Sequence, residues 1–425
     1  MASRTRLALI GAILTLVAGA SAAVAQDTTR GASPDSLAAR LDKAEAAIEL
    51  LRQQLSAQAS ASVQSRSRAS LEFSGRIIAN AFFNKGRANN FDVPQLAVVK
   101  AAGYQDRSAG GTLRQTMLSL SAQGGKLWGA DASAYLETDF FGGQQNAPGD
   151  RPDFPEPRIR IARATLRWAN AELMVGQDVP LITPVEPVST ASTGFPTFVR
   201  AGNLWFWLTQ VRGTIETSGN VRWGLQAALL APWSGGDVIA GDADAGDLGE
   251  RQRLPQIEMR VRARWGEEEM RGEIGLGVHQ AWLGTAADTT ISSRAVALTA
   301  LLPLTSWLEF RAEAYSGQAL RGLGGGGVGQ NIGAAGAPIR DVGGWFQLNV
   351  KPSATWMVGA GCGMSHPEAA DQPARLKNDV CELHTLWRPG GLPFVGIEYR
   401  EFQTTYPVVG LQRLRHMNIG VGVEF

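Results

Sequence analysis

Charged residues stand at every second position in several stretches of this 425-residue chain. Glu258, Arg260, Arg262 and Arg264 alternate with Ile257, Met259, Val261, Ala263 and Trp265. Glu309, Arg311 and Glu313 alternate with Leu308, Phe310, Ala312 and Ala314, and Glu72, Ser74, Arg76, Asn80 and Asn84 oppose Leu71, Phe73, Ile77, Ala79, Ala81 and Phe83. Residues two apart share one face of a strand. Such rows make no bonds; they hold fixed charge, and fixed charge facing water sorts ions and polar solutes. An ionised row facing hydrocarbon is costly, so where the apolar rows meet lipid the charged rows must line water.

This phase gives an expected set of pore-lining residues. It comprises Arg76, Asp131, Glu137, Asp139, Arg212, Glu258, Arg260, Arg262, Arg264, Glu309, Arg311, Glu313, Glu398 and Arg400. Glu72, Arg222, Arg271 and Glu273 share the phase. Opposed rows of both signs set up a transverse field. The basic side is denser at Arg260–Arg264, which favours a weak preference for anions, dicarboxylates among them. Any single arginine here reads more simply as a wall charge paired with a neighbouring carboxylate than as a dedicated binding residue.

Bond-making chemistry finds less support. The four histidines, His279, His366, His384 and His416, lie on distant segments, and no nucleophile elbow, HExxH or phosphate-cradling loop occurs. Gly324 to Gly327 have neither a following helix nor a Lys-Ser/Thr pair. Two cysteines make no zinc site. Forty basic against 39 acidic residues give no bias toward nucleic acid. No catalytic residue, metal ligand or cofactor is therefore expected. A barrel enzyme stays open as an alternative, because its Ser/His/Asp partners would lie on different strands, and a structural tether is a further one.

The elements that must position these rows are strands. Sixteen alternating segments run through 70–83, 113–124, 127–140, 158–168, 171–178, 204–218, 221–232, 255–265, 268–282, 293–302, 306–316, 344–351, 354–364, 379–387, 393–402 and 413–425. Residues 158–168 break phase between Arg160 and Arg163, which reads as a bulge or a strand end. Connections alternate in length. Long ones at 84–112, 141–157, 179–203 and 233–254 are interleaved with short turns at Gly124-Gly125-Lys126, Ala169-Asn170, Gly219-Asn220 and Gly266-Glu267. Further short turns fall at Pro303-Leu304, Pro352-Ser353 and Pro389–Gly391. Up-and-down membrane barrels sort their loops by parity in this way, and a soluble sandwich has no reason to. The expected fold is all-β: a 16-stranded antiparallel transmembrane β-barrel over 70–425, wide enough for an aqueous lumen, preceded by a short α-helical coiled coil. Fifty glycines and twelve tryptophans suit tight turns, close strand packing and interfacial aromatic girdles.

Both ends fit. Arg4 and Arg6, the apolar run Leu7 to Ala18 and the small residues Ala23-Val24-Ala25 read as a signal peptide over 1–25, with Ala20-Ser21-Ala22 a second cleavage candidate. Past it, no apolar run is long enough for a membrane helix. In 35–63, Leu41, Ile48 and Leu55 fill one position of a heptad and Leu37, Ala44 and Leu51 the other. This seam favours self-association in the periplasm, the other reading being a lone amphipathic helix; 56–69 reads as a linker. The closing segment, Met417 to Phe425, alternates strictly. Cys362 and Cys381 fall in the outward phase of consecutive strands, nearly level across the hairpin. In an oxidising compartment they either bond or remain two small apolar residues in lipid.

With these features on view, the sequence resembles Gram-negative outer-membrane general porins, most closely the trimeric DcaP-like porins with an N-terminal periplasmic coiled coil. The resemblance rests on 35–63, on the segment LETDFFGG at Leu136–Gly143, on Val175-Gly176-Gln177 leading into a Pro-rich loop, on Gln210-Val211-Arg212 and on the terminal Phe425. It implies a homotrimer in the outer membrane, amid lipid and lipopolysaccharide, passing small hydrophilic solutes and ions. It also implies that Phe425 is read by the barrel-assembly machinery and that the third long loop, 179–203, folds inward as the constriction. Engagement of peptidoglycan by the coiled coil would be an added role. Phosphate-selective porins are the nearest competing family, but their lysine ladder is not evident here.

Overall fold

The computed structural model describes residues 63–64, 69–100, 102–103, 105–143, 155–238, 246–267, 270–285 and 289–425. The expected signal peptide and nearly all of the expected coiled coil lie outside them. Val63 and Gln64 pair with Leu71 and Ser70.

The described residues form a closed antiparallel barrel of sixteen strands. The strands are β1 (Ser70–Lys85), β2 in two segments (Arg107–Thr112 and Met117–Leu127), β3 (Ala130–Gly142), β4 (Glu156–Arg167), β5 (Ala171–Asp178), β6 (Leu208–Glu216), β7 (Val221–Leu230) and β8 (Gln256–Trp265). They continue as β9 (Gly272–Gly284), β10 (Thr290–Thr305), β11 (Leu308–Gln318), β12 (Arg340–Ser353), β13 (Trp356–Pro367), β14 (Lys377–Trp387), β15 (Pro393–Tyr406) and β16 (Gly410–Glu424). Each pairs with the next, and β16 closes on β1 from Arg415↔Lys85 to Glu424↔Arg76. Gly75 and Phe425 exchange two backbone hydrogen bonds at the seam, at 2.9 and 3.0 Å.

Every expected strand is present, with local corrections. The turn expected at Gly124–Lys126 is a register irregularity inside β2, and the chain reverses at Trp128-Gly129 instead. Pro303 stays in β10 and the turn falls at Ser306-Trp307, because Pro303 sits where the ladder shifts register and no N–H is needed. Residues 107–112, expected as loop, form the upper part of β2. Residues 204–207, expected as strand, belong to a loop. The long connections after β9 and β15 shrink to 285–289 and 407–409. The parity of long and short connections holds elsewhere but is lost at these two, where 285–289 and 407–409 are shorter than the turns 266–271 and 388–392 that precede them.

The faces follow the alternation. Outward positions such as Ile77, Phe83, Met259, Val261, Leu276, Leu298, Phe346 and Val421 are exposed and apolar, while Glu258, Arg260, Glu313, Glu398 and Arg400 point inward and are buried. Trp128, Trp223, Trp307, Trp356 and Trp387, all exposed, gather at the short-turn end as an aromatic girdle. A sheet apolar outside and charged inside, with no free edge, satisfies its backbone within a bilayer. At mid-strand, Cys362 and Cys381 lie directly opposite one another and are bonded, with Cα–Cα 4.1 Å.

The lumen and its constricting loop

The inner wall is laced with ion pairs. On β8, Arg260 donates to Glu273 at 2.7 Å and also meets Gln226 and Thr299; Arg262 lies 3.5 Å from Glu216 and 3.7 Å from Glu273; Arg264 pairs with Glu216. On β11, Arg311 pairs with Glu309 at 2.6 Å. The three arginines of β8 thus share two carboxylates, Glu216 on β6 and Glu273 on β9.

Farther round the wall, on β4, the phase break becomes a bulge. Glu137 pairs with Ile161 and Thr138 with Ile159, which leaves Arg160 unpaired in the ladder. The extra residue lets Arg158, Arg160, Ile161 and Arg163 all turn inward. Arg158 grips Asp139 at 2.6 Å, Arg160 meets Glu137 at 3.0 Å, and Arg163 reaches Asp178 at 2.5 Å, with Arg212 at 3.6 Å from the same carboxylate. Sequence reasoning missed Arg158, Arg160, Arg163, Asp178 and Glu216. The change of arginine spacing from two to three at the break was the only signal for the first three. A second interruption, Leu113–Thr116 inside β2, turns in Arg114, which clamps Asp92 through two nitrogens at 3.0 and 2.5 Å, and Gln115.

The connection 179–207 folds into the barrel and meets its inner face at strands all round the sheet. Its backbone N–H groups find wall acceptors: Leu181 donates to Glu258 at 2.6 Å, Val188 to Gln347 at 2.7 Å, Thr190 to Glu398 at 3.1 Å, Thr193 to Gln115 at 2.6 Å and Leu204 to Glu313 at 3.0 Å. In return Arg311 donates to the Glu186 carbonyl and Arg158 to that of Gly194. Arg400 pairs with Glu398 and donates to Ser192 and Thr197. Glycines on the wall leave seats for the loop. A Cβ on Gly277 would come within 2.8 Å of the Ile182 Cβ, and one on Gly396 within 2.6 Å of the Thr190 Cβ. Phe198 and Arg200 take left-handed backbone at φ 65° and 60°, a cost that packed surroundings must hold; the Phe198 ring stacks on Trp345 at 5.8 Å. Trp205, Phe206 and Trp207 anchor the return, with Arg158 and Arg160 lying 5.1 and 4.7 Å from the Trp207 ring.

All fourteen expected lining residues therefore sit on the inner face, but they divide. Arg76, Asp131, Glu137, Arg212, Arg262, Arg264, Glu309 and Arg311 keep some access to the lumen. Asp139, Glu258, Arg260, Glu313, Glu398 and Arg400 are sealed. Glu258, Glu313 and Glu398 serve the loop as hydrogen-bond acceptors, which corrects the expectation of an open charged wall at those positions. Glu186, at the turn of the loop, feels Arg160 and Arg311 from two sides with Glu137 and Asp178 nearby, and burial pushes its carboxyl above the usual range. Toward the short-turn end lies a cavity of about 270 Å3 whose lining includes Tyr135, Arg163, Arg167, Glu172, Asp178 and Arg212.

No family model and no curated relative matches the sequence. Solved structures do. The outer membrane channel DcaP of Acinetobacter baumannii superposes with a TM-score of 0.67 at 15% identity, over 86% of this chain and 100% of that one. An anion-selective porin from Comamonas acidovorans gives 0.55 at 14%, over 84% and 100%. OmpT of Vibrio cholerae in a trimer form gives 0.50 at 10%, over 84% and 99%. The chain has the outer-membrane porin fold.

One cluster in this porin barrel has the outline of hydrolytic machinery. Ser293 Oγ lies 3.3 Å from His279 Nε2, and His279 Nδ1 lies 3.0 Å from Glu258 Oε1. Both Ser293 and His279 are only 4% exposed, so no substrate carbonyl reaches the hydroxyl. The second oxygen of Glu258 is occupied by the N–H groups of Leu181 and Ile182. The cluster fastens the loop to β8, β9 and β10.

Proposed function

We propose that the protein is an outer-membrane channel for passive diffusion of small hydrophilic solutes, with a weak preference for anions that extends to dicarboxylates. The observation that carries this reading is the seating of 179–207 against the inner wall between arginine-bearing strands. Beside the apolar contacts that seat the loop, Arg262, Arg264 and Arg311 with their carboxylate partners keep access to the lumen. Arg158, Arg160, Arg163 and Arg212 on β4 and β6, together with Arg262 and Arg264 on β8, tip the balance toward anions. The reading also takes the molecule as a homotrimer, with the 35–63 heptads parallel in the periplasm, Phe425 presented to the assembly machinery, and peptidoglycan contact as an additional role of the coiled coil.

Planar-bilayer recording tests it. Stable single-channel conductance with a reversal potential on the anion side in a salt gradient is expected. Silence, or a cation-side potential, would overturn it. A serine-directed fluorophosphonate should leave Ser293 unlabelled; labelling at that residue would move the reading to a barrel hydrolase.

A further inference from the structure

At the long-loop end of the barrel three connections meet, 179–207, 319–339 and 368–376, and each brings an arginine. Arg375 donates to the carbonyls of Val328 and Gly329 at 3.1 and 3.4 Å. Arg200 comes to the same glycine: a Cβ on Gly329 would lie 2.9 Å from the Arg200 Nε and 3.2 Å from its Cζ. Arg321 stands near both, but Asp237 pairs with it. Neither Arg200 nor Arg375 has a carboxylate partner among the described residues, and the Arg200 side chain donates no hydrogen bond to any of them. Burial, with Arg375 and Arg321 adding to it, holds the Arg200 guanidinium below the usual arginine range, and burial lowers that of Arg375. A guanidinium taken from water without a counter-charge is costly. The backbone beneath it is costly too: Arg200, Val328 and Gly329 are left-handed, at φ 60°, 53° and 74°, and strain of this kind gathers at ligand clamps. The two carbonyls give Arg375 a structural task. Arg200 has none within the described chain, and all three arginines keep partial access to solvent.

The missing partner is an anion, and the arrangement narrows its class. Two unneutralised charges call for a dianion. Both converge on Gly329, so one charge centre with several acceptor oxygens serves them together, whereas a dicarboxylate divides its charge across a carbon spacer. A phosphate group carries about −1.5 to −2 charge at neutral pH and three strong acceptor oxygens, and arginine takes it through two parallel N–H donors. We propose that Arg200 and Arg375 form a binding site for a phosphate group, free or on a small monoester, at the outer mouth of the barrel. Arg321, neutralised by Asp237, closes one side of it. The site is a single place where loops meet, not a ladder of cations along the pore. That it holds phosphorylated solutes at the entrance rests on the channel reading above; the binding itself does not.

Isothermal titration calorimetry of the full-length protein in detergent tests the site, with inorganic phosphate, glycerol 3-phosphate and succinate as probes. At least one of the two phosphates should bind saturably, and the tighter of them names the source; succinate should bind about tenfold more weakly. Losing one charge-assisted contact costs about tenfold in affinity, so R200Q should weaken phosphate by that factor and R200Q/R375Q should abolish the heat. Succinate binding as tightly as phosphate, no saturable heat with either phosphate, or undiminished binding in R200Q/R375Q overturns the proposal. If the double variant does not assemble, R200Q decides in its place, because it removes no hydrogen bond within the described chain. Bilayer recording of the same preparation separates this site from the pore. A barrel that binds phosphate but never conducts keeps the site and sinks the channel reading, and one that conducts but binds no phosphate sinks the site alone.

Discussion

Burial raises the Glu186 carboxyl, with Glu137 and Asp178 adding to the shift and Arg160 and Arg311 opposing it. The folded state then binds this proton more tightly than the unfolded chain. Glu186 contributes stability below the ordinary carboxylate value of about 4.3 and loses that contribution as pH rises through its own raised value. Its charge at the constriction disappears above the pH at which ordinary surface carboxylates neutralise. The anion preference should therefore grow as pH falls toward that range, and E186Q should remove this step from the reversal-potential profile; a profile identical to wild type would show that Glu186 lies off the ion path. The β8 arginines separate into two kinds. R262Q/R264Q leaves Glu216 and Glu273 short of partners in the lumen, and the reversal potential should move toward cations. R260Q removes a guanidinium that is wholly buried and shared by Glu273, Gln226 and Thr299. It should mainly destabilise the barrel, on the order of 3–5 kcal/mol as for one broken buried pair, read as a lower melting temperature with little change in selectivity. Alternation told the sequence reader which side chains face inward. It was silent on which of them a loop would cover, because Glu258 and Arg262 have the same phase and differ only in what lies above them.

Strands were legible wherever they alternate without interruption, as β8, β11 and β16 do. They were least legible where the wall departs from regularity to serve the loop. The insertion of Arg160 and the turn at Leu113–Thr116 look like faults in a strand pattern, yet each delivers side chains that the loop binds. Residues 204–207 read as the start of β6 because Leu204, Trp205, Phe206 and Trp207 are apolar. They stay out of the ladder because the N–H groups of Trp205 and Phe206 bond Leu323 of the facing loop. Gly277 and Gly396, inside β9 and β15, lie on the inner wall where the loop touches down. G396V should push Thr190 off its seat and weaken its hold on Glu398. Single-channel records should then show larger, noisier currents; wild-type current levels would mean that the loop is held without that contact.

For the whole molecule, the heptad seam at 35–63 predicts that trimer stability and pore formation are separable. Deleting 35–63 should lower the temperature at which the trimer band dissociates on semi-native gels while leaving conductance intact. An unchanged dissociation temperature would assign residues 35–63 another task. Another consequence concerns the order of events in making the barrel. The Cys362–Cys381 bond faces outward at mid-strand, between Val358 and Met364 on one side of the hairpin and Leu383 on the other, where lipid tails will cover it. Once the barrel is inserted, neither a water-borne oxidant nor a thiol catalyst has a path to those sulfurs. Oxidation must come first, so β13 and β14 must already lie side by side in the periplasm while the rest of the sheet is unfinished. Pulse-labelled chains quenched with a thiol-blocking reagent should show the bond before they acquire heat-resistant folding. The hairpin would then act as a timestamp, recording that the chain spent time folded in water before it entered the membrane.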